Sequence, residues 1–347
     1  MRYKTFGRGS GLRVSELALG GALFGTAWGY GAEAGEVRRI LEGYCEAGGN
    51  FLDLADSYQC GQSETIVGDF LPGRREHLVV ASKYTLGAET EAHLLSTGNS
   101  RKNMIRSVEA SLQRLKTDRI DLYWVHMADG LTAVEEIVRG LDDLVRTGKI
   151  LYAGFSDFPA WRVARAATIA EIRGWAPVVG LQIEYSLAER TPDRELLPMA
   201  QALGMGVAAW SPLGGGFLTG KYRRGEPGRA TTFGAVVHTE SEPGKTAVLD
   251  AVLAVAEEAG VSAGQVALAW LVSRGTVPII GPRTREQLED NLGATAVALT
   301  STQLAKLDSA SAVPLGFPHD FLADNNQRVR MAGGTPEKVE CPATPVA

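Results

Sequence analysis

Residues 120–126 (IDLYWVH), the segment 135–145 that follows, and residues 150–156 (ILYAGFS) predict the fold. The first and last of these segments are continuous apolar runs, which are typical of strands buried on both faces. The segment between them has apolar residues at helical spacing and ends before Gly148, as a helix does. A strand, a helix and a second strand in this order form a βαβ unit, in which the two strands are parallel.

Similar apolar runs recur along the whole chain. Eight of them begin near Leu17, Asn50, Leu78, Ile120, Ile150, Val178, Met205 and Val277. Successive runs begin 27 to 42 residues apart, except the last, which begins 72 residues after its predecessor. Strands that alternate with helices at this spacing predict an α/β protein, a (β/α)8 TIM barrel. The alternative is a doubly wound open sheet, whose usual G-x-G-x-x-G motif does not occur in the sequence.

The whole chain, residues 1–347, is expected to form one barrel domain with three additions. Residues 1–15 predict an N-terminal β-hairpin, and residues 16–311 predict the barrel. Within the barrel, residues 211–244 are rich in Gly, Pro, Thr and Arg and predict a long loop after the seventh strand. Residues 312–347 predict a C-terminal tail.

The composition excludes several classes of protein. The chain has 35 Lys and Arg against 40 Asp and Glu, a net charge of −5, and no basic tract, which argues against nucleic acid or an anionic membrane as a partner. It has no stretch typical of a signal peptide or membrane span. Three widely spaced cysteines without C-x-x-C indicate the reducing cytoplasm, and five histidines without H-x-x-x-H spacing predict no metal site. The oligomeric state is not predicted.

Polar residues lie at the ends of five consecutive predicted strands. In chain order they are Asp53, Lys83, His126, Ser156 with Asp157, and Gln182. Because the chemistry of a TIM barrel lies at the carboxyl ends of its strands, these side chains are expected to surround one site.

An acid–base group is the chemistry that these residues predict. Lys83 and Asp53 lie on neighbouring strands and are expected to form an ion pair, with Tyr58 in the following loop directed toward them. A nearby ammonium is expected to lower the pKa of the phenol from about 10, which makes Tyr58 a general acid. With His126 bonded to the same substrate oxygen, the group suits the protonation of an oxygen as hydride adds to a carbonyl.

Seven segments together resemble the aldo-keto reductase superfamily, in the right order from about residue 2 to about residue 322. They are GGNFLDLADSYQCGQSE (48–64), VVASKY (79–84), RIDLYWVH (119–126), AGFSDF (153–158), LQIEYSL (181–187), AAWSPLGGGFLTGKY (208–222) and IIGPRTREQLEDN (279–291). The resemblance implies a catalytic tetrad of Asp53, Tyr58, Lys83 and His126. It also implies a nicotinamide cofactor bound in extended form without a Rossmann domain.

The resemblance assigns the nicotinamide end of the cofactor to residues near the barrel centre. Ser156, Asp157 and Gln182 would contact the carboxamide, and the family more often has asparagine where Asp157 stands. An ionised aspartate accepts hydrogen bonds but does not donate them. Trp210 replaces the Tyr or Phe that usually stacks on the nicotinamide ring.

The phosphates and the adenosine are assigned to the last two strands. Ser211, Leu213, Gly215 and Lys221 would meet the pyrophosphate, and Gly281, Arg283, Gln287 and Asn291 would hold the adenosine end. The guanidinium of Arg283 matches a ribose 2′-phosphate, so NADP(H) is favoured and NAD(H) remains possible.

The expected activity is NAD(P)H-dependent reduction of aldehydes or ketones, including sugars and bulky ketones, with a small-molecule carbonyl substrate. The candidate substrate-pocket residues are Phe24, Trp28, Tyr84 and Met127. One alternative is a nucleotide-binding barrel that senses redox state and regulates a partner with little turnover. Another alternative, a phosphate-binding isomerase barrel, would explain the number of strands and helices but not the cofactor motifs.

Overall fold

Eight parallel strands close into a barrel in the computed structural model, which describes residues 1–91, 93–228 and 238–340. The barrel strands are β3 (Ala18–Gly20), β4 (Phe51–Asp53), β5 (Val79–Tyr84), β6 (Ile120–Val125), β7 (Ile150–Ser156), β8 (Val178–Glu184), β9 (Gly206–Trp210) and β10 (Val277–Ile280). They pair in chain order, and β10 completes the ring by pairing with β3. The predicted TIM barrel is confirmed.

Helices connect the strands and cover the outside of the barrel. They span Ala34–Glu46, Gln62–Phe70, Arg101–Leu115, Val134–Arg146, Ala160–Arg173, Leu196–Ala202, Lys245–Ala259, Ala263–Ser273, Arg285–Gly293 and Ser301–Ser311, with Gly174 and Gly260 in left-handed conformation directly after two of them. The helix Val134–Arg146 buries Ile137, Leu141 and Leu144 against the barrel. This burial explains the spacing of apolar residues seen in the sequence.

The predicted N-terminal hairpin closes the amino-terminal end of the barrel. Its strands β1 (Tyr3–Thr5) and β2 (Arg13–Ser15) are antiparallel, and the Phe6 side chain that follows β1 is fully buried. The ring centroid of Phe6 lies 6.0 Å from that of Trp124 in the barrel interior. A Cβ atom on Gly180 or on Gly206 would lie 2.6 Å from an atom of Phe6, so glycine at both positions leaves room for this ring.

Side-chain alternation along β5 decides which residues face the barrel interior. Ala81 packs in the interior cluster with Phe6 and Trp124, and Lys83 lies on the same face two residues later. Tyr84 faces the opposite way, into the core between the barrel and its helices. The carboxyl ends of the strands therefore present Lys83, and not Tyr84, to the barrel mouth.

The predicted loop and tail are described in part. After β9 a short 3-10 turn covers Gly214–Thr219, and the next helix begins at Lys245; residues 229–237 of the predicted loop lie outside the described residues. The tail forms the short helices His319–Ala323 and Asn325–Met331, and residues 341–347 lie outside the described part. None of the helices in the described ranges has the length and apolar character needed to cross a membrane.

Candidate active site

A cavity of about 670 Å³ opens at the carboxyl ends of the barrel strands, a volume suited to a small molecule or cofactor. Asp53, Tyr58 and His126 line it at the barrel centre. The remaining sequence-predicted lining residues are Ser156, Asp157, Gln182, Trp210, Ser211, Leu213, Gly215, Lys221, Gly281, Arg283, Gln287 and Asn291. Residues separated by more than 200 positions in the chain are thus brought to one cavity.

Lys83 connects the carboxylate to the phenol beneath this cavity. The ammonium is completely buried, and Nζ donates to Asp53 Oδ2 over 2.6 Å, to the Leu54 carbonyl over 2.8 Å and to the Tyr58 hydroxyl over 3.1 Å. The predicted ion pair and the predicted approach of Tyr58 are both confirmed. Three acceptors satisfy the three protons of the ammonium, so its position is fixed.

Asp53 is held by two further donors that come from across the barrel. Its Oδ1 accepts from Trp124 Nε1 over 3.1 Å and from Gln182 Nε2 over 2.8 Å. Trp124 was not among the site residues predicted from the sequence. The alternation of β6 contains the signal, because Trp124 lies two residues before His126 and so shares its inward face.

Burial controls the protonation of Tyr58 and Lys83, and the predicted lowering of the pKa of Tyr58 is wrong. Loss of hydration raises the pKa of Tyr58 above its ordinary value of 10, and the opposing charge of Lys83 is the smaller influence. Burial also disfavours the ammonium of Lys83, but the charge of Asp53 and the hydrogen bonds outweigh it and raise the pKa of Lys83. At neutral pH the site therefore holds a protonated phenol beside a charged lysine.

His126 follows β6 and lies against Tyr58, with ring centroids 5.8 Å apart in an edge-on arrangement. Burial, together with the nearby charge of Lys83, lowers the pKa of His126 to about 3. The imidazole is therefore neutral at physiological pH, and it can accept or donate one hydrogen bond at each nitrogen according to its tautomer.

Three buried polar atoms at this site have no hydrogen-bond partner within the described residues. They are Nδ1 of His126, Oγ of Ser156 and Oγ of Ser211. Buried polar atoms are normally satisfied, so their concentration in residues that line one cavity indicates that a polar ligand completes them.

Asp157 and Trp210 form a direct contact at the edge of the cavity. Trp210 Nε1 donates to Asp157 Oδ1 over 3.0 Å, and Asp157 has a left-handed backbone φ of 50°. The carboxylate is exposed to the cavity, but the surrounding walls reduce its hydration and raise the pKa of Asp157 to about 6. The hydrogen bond from Trp210 opposes this rise.

The chain after β9 allows its backbone to approach a ligand closely. Gly214, Gly215 and Gly216 have positive φ values of 58°, 67° and 97°. A Cβ atom on Gly216 would lie 2.5 Å from Lys221 Cε, so no other residue fits there without movement. Such a segment suits the approach of backbone amides to phosphate oxygens.

Arg283 supplies a positive charge at the far end of the cavity. Its guanidinium lies 4.3 Å above the ring of Tyr30, and it makes no ion pair within the described part of the chain. Together with the glycine segment and the unpartnered hydroxyls, it fits an extended dinucleotide whose phosphates lie between the barrel centre and this arginine.

Three of the four predicted substrate-pocket residues lie away from the cavity. Phe24 and Tyr84 are fully buried in the core outside the barrel, so neither lines the cavity. Met127 is half-buried and does not line it either. Trp28 lies beside the site, with its ring centroid 6.2 Å from that of Tyr58.

Leu23 and Tyr30, which the sequence analysis did not identify, line the cavity from the same first loop. Within the described ranges, no group of three or more His, Cys, Asp or Glu side chains is arranged to hold a metal ion.

A cavity of about 670 Å³ that contains a protonated phenol at the carboxyl ends of a parallel barrel is typical of the active site of a barrel enzyme. Comparison with protein families gives the particular family. The chain belongs to the aldo/keto reductase family, whose model matches residues 16–312. Members of this family use a nicotinamide cofactor.

Curated relatives match nearly the whole chain. A norsolorinic acid reductase of Aspergillus flavus is 35% identical, over 92% of this chain and 84% of its own length. An aryl-alcohol dehydrogenase [NADP(+)] of Phanerodontia chrysosporium is 35% identical, over 94% of this chain and 90% of its own. A putative aryl-alcohol dehydrogenase of Saccharomyces cerevisiae is 33% identical, over 93% and 90% respectively.

Proposed function

We propose that this chain reduces a carbonyl compound to an alcohol with NADP(H), and that Tyr58 is the general acid. The observation that carries the proposal is the 3.1 Å contact between the Tyr58 hydroxyl and Lys83 Nζ in the wall of a cofactor-sized cavity. A phenol with a raised pKa keeps its proton at neutral pH, so it is available to a substrate oxygen.

The path of the proton in the reaction follows from the contact between Tyr58 and Lys83. The reduced nicotinamide, when bound, supplies a hydride to the carbonyl carbon. Tyr58 donates its proton to the carbonyl oxygen, which becomes the alcohol hydroxyl, and a proton from solvent later restores the phenol. Lys83 stabilises the transient phenolate, since its ammonium already donates to that oxygen in the resting site.

Asp53 and His126 have different supporting roles in this proposal. Asp53 keeps Lys83 charged and in position through the 2.6 Å ion pair. His126, neutral because burial lowers its pKa, donates one hydrogen bond to the substrate oxygen and orients it toward Tyr58. A neutral donor suits this position because a second cation would be repelled by the nearby charge of Lys83.

The cofactor would be held along the length of the cavity. Ser156, Asp157 and Gln182 would bind the carboxamide, and the indole of Trp210 would cover the ring. Backbone amides of the segment 211–216 and the side chain of Lys221 would meet the pyrophosphate. Arg283 would pair with a 2′-phosphate, which favours NADP(H), and the name of the Phanerodontia chrysosporium relative supports that preference.

An aromatic carbonyl compound is the substrate class that the site supports best. Trp28 packs edge-on against Tyr58, with ring centroids 6.2 Å apart, and Leu23 lines the cavity from the same loop. Flat apolar walls of this kind bind aromatic rings, which prefer edge-on and offset contacts. The names of the relatives, two aryl-alcohol dehydrogenases and a norsolorinic acid reductase, support the same class. Three widely spaced cysteines without C-x-x-C support a cytoplasmic location for this activity.

The test compares two tyrosine variants on a panel of aromatic aldehydes and ketones. Tyr58→Phe should lower kcat by about three orders of magnitude, as expected for loss of a general acid, while NADPH still binds. Tyr84→Phe is the matched control, since it removes a hydroxyl one residue after Lys83 that lies in the core, and its kcat should stay near that of the parent. Turnover by Tyr58→Phe within tenfold of the parent, or no turnover by the parent on any carbonyl, would contradict the proposal.

A further inference from the structure

Asp157 places a carboxylate at the nicotinamide end of the cavity, where the family more often has a neutral asparagine. Its Oδ1 accepts from Trp210 Nε1 over 3.0 Å, and both side chains line the cavity. Within the described residues Asp157 forms no ion pair, so no cation neutralises its charge by direct contact.

The charged groups near Asp157 come from β5 and β8, and a neutral hydrogen-bond donor comes from β9. Lys83 on β5 is committed to Asp53 and Tyr58, which surround its ammonium. Glu184 on β8 is held by His238 over 3.2 Å and adds a second negative charge to the neighbourhood. Trp210 on β9 is neutral, so it orients the carboxylate without neutralising it.

The two redox states of a nicotinamide ring differ in charge. The oxidised ring is a cation, and the reduced ring is neutral because it has gained a hydride. A carboxylate beside the ring therefore attracts only the oxidised state, whereas an asparagine would treat both states more nearly alike. In the reduced hydration of the cavity such a charge interacts more strongly than it would in water.

We propose that Asp157, oriented by the indole of Trp210, makes this site bind the oxidised nicotinamide nucleotide in preference to the reduced one. The inference rests on the proposed function, because it requires the nicotinamide ring to lie at this end of the cavity. Its consequence is that the enzyme retains the oxidised cofactor after carbonyl reduction and is readily loaded for the oxidation of an alcohol.

The pH dependence of nucleotide binding provides an independent test of this proposal. The reduced hydration of the cavity raises the pKa of Asp157 to about 6, so the carboxyl is mostly protonated near pH 5 and ionised near pH 8. The preference for the oxidised nucleotide therefore grows as the pH rises through this range. A neutral residue at position 157 removes that growth.

The experiment measures dissociation constants of NADP+ and NADPH, by quenching of protein fluorescence or by calorimetry, on the full chain without substrate. Asp157→Asn should lower the ratio Kd(NADPH)/Kd(NADP+) by about tenfold near pH 8 and by much less near pH 5. Asp118→Asn makes the same charge change on an exposed turn at the opposite end of the barrel and should leave the ratio unchanged. Both ligands are measured on one protein, so a partial loss of folded material does not alter the ratio.

Trp210→Phe tests the positioning role of the indole. It keeps a flat ring but removes the Nε1–H donor, so both nucleotides lose similar stacking, while the freed carboxylate moves and the ratio falls. Because the indole donor favours the ionised form of Asp157, the pH midpoint of the ratio should rise. An Asp157→Asn ratio within about twofold of the parent near pH 8 would overturn this inference and leave the proposed function intact. Failure of the parent to bind either nucleotide would overturn the proposed function itself.

Discussion

The side-chain amide of Gln182 donates a hydrogen bond to Oδ1 of Asp53 over 2.8 Å, although 129 positions separate the two residues in the chain. This bond uses Nε2 of the Gln182 amide as a donor, so that Oε1 is the atom with which the amide can accept a hydrogen bond. Because Asp53 also binds Lys83, the proposed carboxamide ligand and the proposed proton donor belong to one hydrogen-bonded group. A change at Gln182 should therefore affect both cofactor binding and the acid–base group.

Two substitutions of Gln182 separate lost hydrogen bonding from added charge. Gln182→Ala leaves Asp53 with one donor fewer and should reduce the free energy of unfolding by about 1–2 kcal/mol and weaken NADPH binding. Gln182→Glu places a second carboxylate beside Asp53 and should be the more damaging of the two above neutral pH, since like charges repel in a buried site. Urea denaturation at pH 8 and NADPH titration check both effects. Equal stability of the parent and Gln182→Glu at that pH would contradict the described bond.

The choice between NADP(H) and NAD(H) should depend on Arg283. Arg283→Gln removes a cation that stacks on Tyr30 and should raise KM for NADPH by about tenfold or more, with little change in KM for NADH. Arg285→Gln is a suitable control two residues along the chain, because Arg285 pairs with Glu289 over 2.9 Å and does not line the cavity. Equal effects of the two variants on NADPH would remove the case for a 2′-phosphate site at Arg283.

Asp56 should make the fold less stable at alkaline pH. It is 1% exposed, Oδ1 has no hydrogen-bond partner among the described residues, and burial with the charge of Glu64 raises the pKa of Asp56 to about 7. Since the folded state holds the proton more tightly than the unfolded state, the stabilisation is complete below about pH 4 and is lost as pH rises through 7.

Asp56→Asn stays neutral and should therefore gain in stability relative to the parent between pH 5 and pH 8, by about 1–3 kcal/mol. Urea denaturation at both pH values measures the gain. The exposed Asp69, changed to Asn in the same way, should show no such trend. A difference between parent and Asp56→Asn that does not change with pH would show that this carboxyl is already ionised at pH 5.

Phe6 should contribute more to stability than any other side chain of the hairpin. Phe6→Ala empties the space that Gly180 and Gly206 leave for the ring and should cost about 3–5 kcal/mol. Tyr3→Ala, at a position 56% exposed on the same hairpin, should cost less than about 1 kcal/mol. Chemical denaturation distinguishes the two. Similar losses would mean that the ring does not fill the end of the barrel.

Features of the fold that neighbouring residues encode were the ones that the sequence predicted. The strands and helices were predictable because hydrophobic periodicity is a property of neighbouring residues, and the polar residues at strand ends followed from it. Tyr84 was misassigned although β5 itself contains the correction, since a residue next to the inward Lys83 must face outward. Phe24 and Trp28 lie in an irregular loop, where no period predicts direction, and only Trp28 proved to lie near Tyr58.

By itself the sequence determined the order of strands and helices, the closed barrel that they imply, and the residues that end each strand. Tertiary structure alone decided the protonation of those residues. Burial outweighs Lys83 and raises the pKa of Tyr58, whereas the sequence predicted a lowered pKa, and burial also keeps His126 neutral. The tertiary structure also brought Trp210 to Asp157 and Gln182 to Asp53. The physical reason is that hydration and electrostatic interaction depend on distances between groups from different strands, which a linear sequence does not contain.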